Sequence, residues 1–221
     1  MFDNIARRYD LLNHVLSLGI DRLWRKKAVN LLKKDKPANI LDIATGTGDF
    51  AIEAMKIPAC TVVGIDISEG MLEKGREKLQ ANGFASRIEL QKGDSEDLKF
   101  DTNTFAAITA GFGVRNFENL EKGLSEMHRV LKPTGKVCIL EFSKPTAFPI
   151  KQIYGFYFKF ILPTLGRMVS KDDSAYTYLP ESVYEFPDGE AFLKKLNKVG
   201  FKNTKQVKLT FGIASLYLGE K

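Results

Sequence analysis

Residues 40–54, ILDIATGTGDFAIEA, read as a short apolar strand, a glycine turn and the start of a helix. Strands feeding helices through such turns build sheets whose ligands sit at the strand ends. Outward from this unit, strand-like runs fall at Ala38–Ile43, Thr61–Ile65, Arg87–Gln91, Phe105–Thr109 and Lys136–Phe142. Helical stretches at Asp49–Lys56, Glu69–Asn82 and Leu120–Leu131 separate most of them, with Ser68 as an N-cap for the second. Apolar residues at helical spacing on either side of Gly19 predict two helices before the first strand. The chain closes with a helix over Asp188–Val199 and two alternating runs, TKQVKLT and GIASLYLG, that predict a hairpin. The fold expected is α/β: a doubly wound, mostly parallel seven-stranded sheet with a C-terminal antiparallel hairpin and N-terminal helices.

Length and composition set the outer bounds. With 221 residues, 44% of them hydrophobic, the chain can bury one substantial core, so residues 1–221 are expected to form a single domain. The longest apolar-rich stretch, Ile150 to Leu165, is interrupted by Lys151, Lys159 and Pro163, which argues against a spanning helix. The opening MFDNIARRYD has no apolar central region of the kind a signal peptide needs. Cys60 and Cys138 are isolated within apolar runs, the pattern of buried thiols in a reducing compartment. No Cys/His cluster has ligand spacing, so a cytoplasmic protein without a metal is expected. The net charge of +6 is spread along the chain and selects no partner.

The glycine turn points to a nucleoside ligand. Gly46, Gly48 and Ala51 satisfy the loose dinucleotide pattern, and Asp66 follows at the end of the next strand, where it is placed to grip ribose hydroxyls. That pattern alone allows NAD. Asp42, however, ends the first strand just before the turn, and a carboxylate there repels a pyrophosphate by about 1 to 4 kcal/mol, depending on the effective dielectric. Asp94, in KGDSEDLKF, adds another acid at the end of the third strand. Three strand-end acids suit an adenosine carrying hydroxyls, an amine and a cationic group, which is the chemistry of S-adenosylmethionine.

The motifs LDIATGTGDF, GIDISEGML, GDSEDLKF and RVLKPTGKV together resemble the class I S-adenosylmethionine-dependent methyltransferases. A narrower match, carried by FDNIARRYDLLNHVLSLGIDRLWRK, GFGVRN, LEFSKP and YTYLPESVYEFPDGEAF, resembles the ubiquinone/menaquinone biosynthesis C-methyltransferase family and covers nearly the whole chain. The resemblance implies methyl transfer to a ring carbon of a prenylated quinol, and it leans toward demethylmenaquinol over the benzoquinol precursor of ubiquinone. It also implies that Thr47 in the turn, Asp66, and the pair Asp94–Ser95 contact the cofactor, with Tyr9 and Asp10 folding over it. Residues 1–36 are then a helical lid, and residues 145–187 an insertion that walls the acceptor pocket. Family members carry a short segment before the FDNIA motif, whereas Met1 directly precedes Phe2 here, so a start further upstream is expected. Some relatives have serine where Gly111 stands, so no hydroxyl contact carries over to that position.

Transfer of a methyl group from a sulfonium to a ring carbon needs no metal, only an electron-rich carbon held in line. A quinol becomes that nucleophile on losing a proton, which at a pKa near tyrosine's costs roughly 4 kcal/mol at pH 7. Arg115 follows the fourth strand at the acceptor edge. It is the candidate catalytic cation, expected to stabilise the phenolate directly or through water, with pairing to a local carboxylate as the alternative. His14 is the candidate general base by intrinsic pKa, whereas His128, in SEMHRVLK, reads as a helix-surface residue. The aromatic segment over residues 149–169 reads as a pocket wall with peripheral membrane contact through Lys151, Lys159 and Arg167. AGFGVRN stands where amino-methylating nucleic-acid enzymes carry their proline-containing motif, so nucleic acid is not expected. A methyltransferase for another phenol or lipid is the main alternative.

Overall fold

The computed structural model describes residue 17 and residues 19–157 and 181–221. The strands are β1 Asn39–Ile43, β2 Thr61–Asp66, β3 Ile88–Lys92, β4 Phe105–Gly111, β5 Leu131–Phe142, β6 Lys202–Leu209 and β7 Ala214–Glu220. The helices are α1 Asp21–Leu32, α2 Asp49–Ala54, α3 Glu69–Ala81, α4 Leu120–Val130, α5 Ile150–Phe156 and α6 Glu190–Lys198. All seven strands share one sheet in the order β3-β2-β1-β4-β5-β7-β6. β7 alone runs antiparallel to its neighbours, and it lies between β5 and β6. The chain thus steps outward from β1 to β3, returns to the far side of β1 as β4, and steps outward again. The reversal falls between β1 and β4, where open α/β sheets form their ligand crevice.

Period-2 alternation within the strands sorts the core onto two faces. Ile40, Val62, Ala107, Cys138 and Leu140 meet Trp24, Ala28 and Val29 of α1, Phe50 and Ala54 of α2, and Leu72 and Leu79 of α3. Leu41, Ile43, Ile65, Ile108, Val137 and Ile139 face Leu124 and Met127 of α4 and Phe192 and Leu196 of α6. Helices after β1 and β2 therefore cover one face and the helix after β4 the other, the right-handed arrangement of a doubly wound sheet. α1 belongs to the core: Trp24 packs against Phe112 and Phe142 and donates from Nε1 to Thr210 Oγ1 at 2.8 Å. The earlier helix expected before Gly19 lies outside the described residues.

Most expected boundaries hold within one or two residues. The Ser68 side chain caps α3 by accepting from Met71 N at 3.3 Å. β5 departs most, beginning at Leu131 instead of Lys136. Leu131 pairs with Phe105, the ladder is then interrupted at Thr134, whose φ is +64°, and pairing resumes at Lys136 with Ala107. The polar run KPTG hides that bulge from a search for apolar alternation. Cys60 and Cys138 are buried free thiols, pushed up by burial to about 11 and about 12. His128 is half-buried edge-on to Phe201, and burial draws its pKa down. No described helix is long and apolar enough to cross a membrane.

Candidate active site

The turn after β1 concentrates unusual backbone. Ala44, Gly46 and Gly48 have φ of +51°, +57° and +82°, three left-handed residues in five positions. Neighbouring elements hold them there. Thr45 N donates to Ile65 O at 2.9 Å, Gly48 N to Thr45 O at 2.9 Å, and Gly46 N to Asp66 Oδ2 at 2.9 Å. β2 makes room by carrying glycine at position 64, where a Cβ would lie 2.8 Å from Thr45 Oγ1. The loop after β4 comes as close: a Cβ on Gly113 would stand 2.4 Å from that of Ala44.

Asp42 differs from expectation. It is fully buried beneath the turn, where it accepts from Thr45 Oγ1 and Thr109 Oγ1, each at 2.6 Å. Burial raises its pKa to about 6, with the two hydroxyls and Arg25 opposing the rise. It therefore anchors the turn from below and does not line the cavity above it. The acids accessible at this edge are other residues.

Those residues line a cavity of about 290 Å³ at the C-terminal ends of β1, β2, β3 and β4. Ala44 and Gly46 form its floor, Asp66, Ile67 and Met71 one wall, Asp94, Ser95 and Glu96 a second, and Asn116, Phe117 and Glu118 a third. Four carboxylates, Asp66, Asp94, Glu96 and Glu118, and no lysine, arginine or histidine occur among the described lining residues. In a chain of net charge +6, this is a local field that favours a cationic ligand and opposes a pyrophosphate.

Hydrogen bonds fix the acids. Asp66 Oδ1 accepts from Ser68 N at 2.9 Å while its Oδ2 holds Gly46. Each oxygen has two acceptor sites, so this carboxylate can serve both the turn and a ligand hydroxyl. Asp94 Oδ1 accepts from Glu96 N at 2.8 Å, and Glu96 Oε1 accepts from Asn119 N at 2.7 Å, joining the loops after β3 and β4.

Of the residues expected from sequence, Gly46, Asp66, Asp94 and Ser95 come together around this cavity. Thr47 and Gly48 lie just behind it. The Thr47 hydroxyl, buried, accepts from Lys78 Nζ of α3 at 3.0 Å, and the same ammonium bonds Asp49 Oδ1. Gly48 leads into α2. His14, Tyr9 and Asp10 lie outside the described residues. At Gly111, a Cβ would reach 3.0 Å from the Phe50 ring, so the glycine keeps β4 close to α2.

Arg115, expected as the cation for the phenolate, is instead found paired with a carboxylate. Its Nη1 bonds Glu141 Oε1 at 2.7 Å and also the Phe112 carbonyl, its Nε donates to Ser182 Oγ at 3.3 Å, and its backbone N to Glu141 Oε2 at 3.3 Å. Both partners of the ion pair are buried, with side-chain exposures of 2% and 0%. The guanidinium also lies 5.6 Å from the centre of the Phe142 ring. Its charge is therefore matched within the protein, and it knits the loop after β4 to the end of β5 and to the helical residues 181–185.

Sequence reasoning passed over Glu141, Glu96, Asn116, Phe117 and Glu118. Each follows or ends a strand at the C-terminal edge of the sheet, the same positional rule that found Asp66 and Asp94. Lys78 and Ser182 carry no such signal, since each reaches the site from a helical segment, α3 and residues 181–185 respectively.

Comparison with known proteins agrees with this geometry. Residues 1–221 match the model of the ubiE/COQ5 methyltransferase family. The chain is 52% identical over 222 residues to a demethylmenaquinone methyltransferase of Bacteroides fragilis, covering all of this chain and 91% of that one. It is 50% identical over 223 residues to a ubiquinone/menaquinone biosynthesis C-methyltransferase of Geotalea daltonii, covering all of this chain and 94% of that one. Among solved structures it resembles a SAM-dependent methyltransferase from Aquifex aeolicus, with TM-score 0.62, 19% identity, and 87% and 88% of the two chains covered. It also resembles phosphoethanolamine N-methyltransferase 2 of Haemonchus contortus in complex with S-adenosyl-L-methionine, with TM-score 0.65, 17% identity, and 88% of this chain and 52% of that one covered.

Proposed function

The chain belongs to the ubiE/COQ5 methyltransferase family, and we propose that it methylates a ring carbon of a prenylated quinol, demethylmenaquinol, using S-adenosylmethionine. The observation that carries this reading is the cavity at the sheet's switch point, walled by four carboxylates with no described cation. S-adenosylmethionine, with its sulfonium and ammonium groups, bears a net positive charge and supplies an electrophilic methyl. Asp66 is assigned to the ribose hydroxyls, Asp94 and Ser95 to the adenine, and the turn around Gly46, Thr47 and Gly48 to the methionine end. Asp42 supports that turn from beneath. Arg115, held by Glu141, shapes the acceptor end through the loop it anchors.

The acceptor must reach the reaction as a phenolate, at a cost of roughly 4 kcal/mol at pH 7 if its pKa is near 10. The acidic cavity does nothing to lower that cost, so proton removal is assigned to the acceptor side, next to the loop after β4 that Arg115 and Ser182 hold. Exposed Phe148, Ile153 and Phe156, with Lys151 beside them, suit peripheral contact with a bilayer holding the prenyl tail. Absence of binding to anionic vesicles at low salt would remove that part of the reading.

Mass spectrometry of quinones after incubation with S-adenosylmethionine and chemically reduced demethylmenaquinone tests the proposal. A product heavier by one methylene, absent when the quinone stays oxidised, is expected. Cofactor binding without product would move the acceptor to the benzoquinol precursor of ubiquinone or to another phenol.

A further inference from the structure

The first half of the glycine turn is fixed by β2, through Ile65 and Asp66, and by Asp42 below. Its second half, Thr47 to Asp49, is gripped from outside. Gly75 of α3 presses against it so closely that a Cβ there would lie 3.2 Å from the Thr47 carbonyl carbon. One turn further along α3, Lys78 Nζ bonds both Thr47 Oγ1 and Asp49 Oδ1. From the other side Arg25 of α1 bonds Asp49 Oδ2 at 3.2 Å, and it also bonds Asp21, which accepts from Ser17 Oγ at 2.7 Å. Charges of alternating sign thus run from α1 through Asp49 to α3, ending on the turn itself.

From this we infer that Lys78 and Asp49 are positioning residues for the cofactor turn: the Lys78–Asp49 clamp, braced by Arg25, holds the left-handed turn in its ligand-ready form. The inference rests on reading the cavity as the S-adenosylmethionine site. Of the three left-handed residues only Ala44 carries backbone strain; Gly46 and Gly48 adopt positive φ freely, and that same freedom leaves the second half of the turn dependent on contacts from outside it. Asp49 also bridges two cations, Arg25 and Lys78, so its charge ties α1 and α3 to the turn. The Lys78 and Asp49 side chains are 33% and 26% exposed, and ion pairs so exposed add little to global stability. Their removal should therefore show in affinity more than in melting temperature.

The experiment titrates wild type, Lys78→Met, Lys78→Arg and Asp49→Asn with S-adenosylmethionine by calorimetry and measures the melting temperature of each without ligand. If the ready turn falls to about a tenth of the population, affinity weakens about tenfold in Lys78→Met and Asp49→Asn. Lys78→Arg, which keeps the charge and two-sided bonding, should restore most of it, and melting temperatures should stay within about 4 °C of wild type. Variant affinities within about twofold of wild type would overturn the inference alone. So would a loss of affinity matched by a collapse in melting temperature that arginine does not rescue. A wild-type protein that fails to bind S-adenosylmethionine overturns the functional reading, and the inference with it.

Discussion

Glu141→Gln removes one charge from the buried pair with Arg115 while nearly preserving shape. The wild-type carboxylate accepts three bonds, from Arg115 Nη1, Arg115 N and Phe142 N. The amide that replaces it turns a donor toward one of those donors and leaves the guanidinium, 2% exposed, without its counter-charge. Breaking a buried ion pair from one side costs about 3 to 5 kcal/mol. For a domain of this size each kcal/mol moves the melting temperature by about 2 to 4 °C, so a fall of roughly 6 to 20 °C is expected. Thermal unfolding followed by circular dichroism measures it. Adding Arg115→Met to Glu141→Gln removes the uncompensated charge and should recover part of the loss, making the double variant more stable than Glu141→Gln alone. A drop below about 2 °C, or a double variant whose losses simply add, would refute the view that these groups are buried as a mutually neutralising pair.

Three further outcomes follow from the site. Asp42 has a folded-state pKa raised from 3.8 to about 6, so the folded protein holds its proton more tightly and stability falls as pH rises through that interval, by about 3 kcal/mol in all. Asp42→Asn should flatten this part of the profile, and melting curves from pH 4 to 7.5 that keep the wild-type slope would contradict it. Asp66→Ala removes a charged acceptor and releases Gly46 N, and at about 1.5 to 3 kcal/mol for a charge-assisted bond it should weaken S-adenosylmethionine roughly 10- to 150-fold by calorimetry. If His14 takes the phenol proton, His14→Asn removes the limb of the pH–rate profile near pH 6.5; an unchanged profile eliminates it.

The sheet was largely readable in the residues because its central strands, β1, β4 and β5, are buried on both faces and announce themselves as apolar runs between turns. The cavity acids Asp66 and Asp94 were readable for a related reason, since the parallel strands β1 to β5 all send their C-terminal ends to one edge. Direction was not. Whether a strand-end acid faces the ligand or the interior depends on neighbours distant in sequence, and Asp42 is turned inward by Thr109, 67 residues away. Arg115 likewise finds its counter-charge 26 residues on, at the end of β5. Lys78 reaches the turn from 31 residues away, off a helix face that reads as ordinary solvated charge.

The position of β7 bears on how the chain acquires this fold. β6 has no partner in the sheet except β7, and the outer edge of β5 pairs with nothing else. During synthesis, β5 is finished at Phe142 but its edge stays bare until Glu220 has been added. At about 5 to 20 residues per second those 78 residues take roughly 4 to 16 s. For that interval a nascent strand carrying Val137, Ile139 and Leu140 presents an open ladder to any other extended segment nearby. The sheet thus closes by receiving into its interior a strand that is made after its outer neighbour, so β6 cannot join the sheet before β7 does.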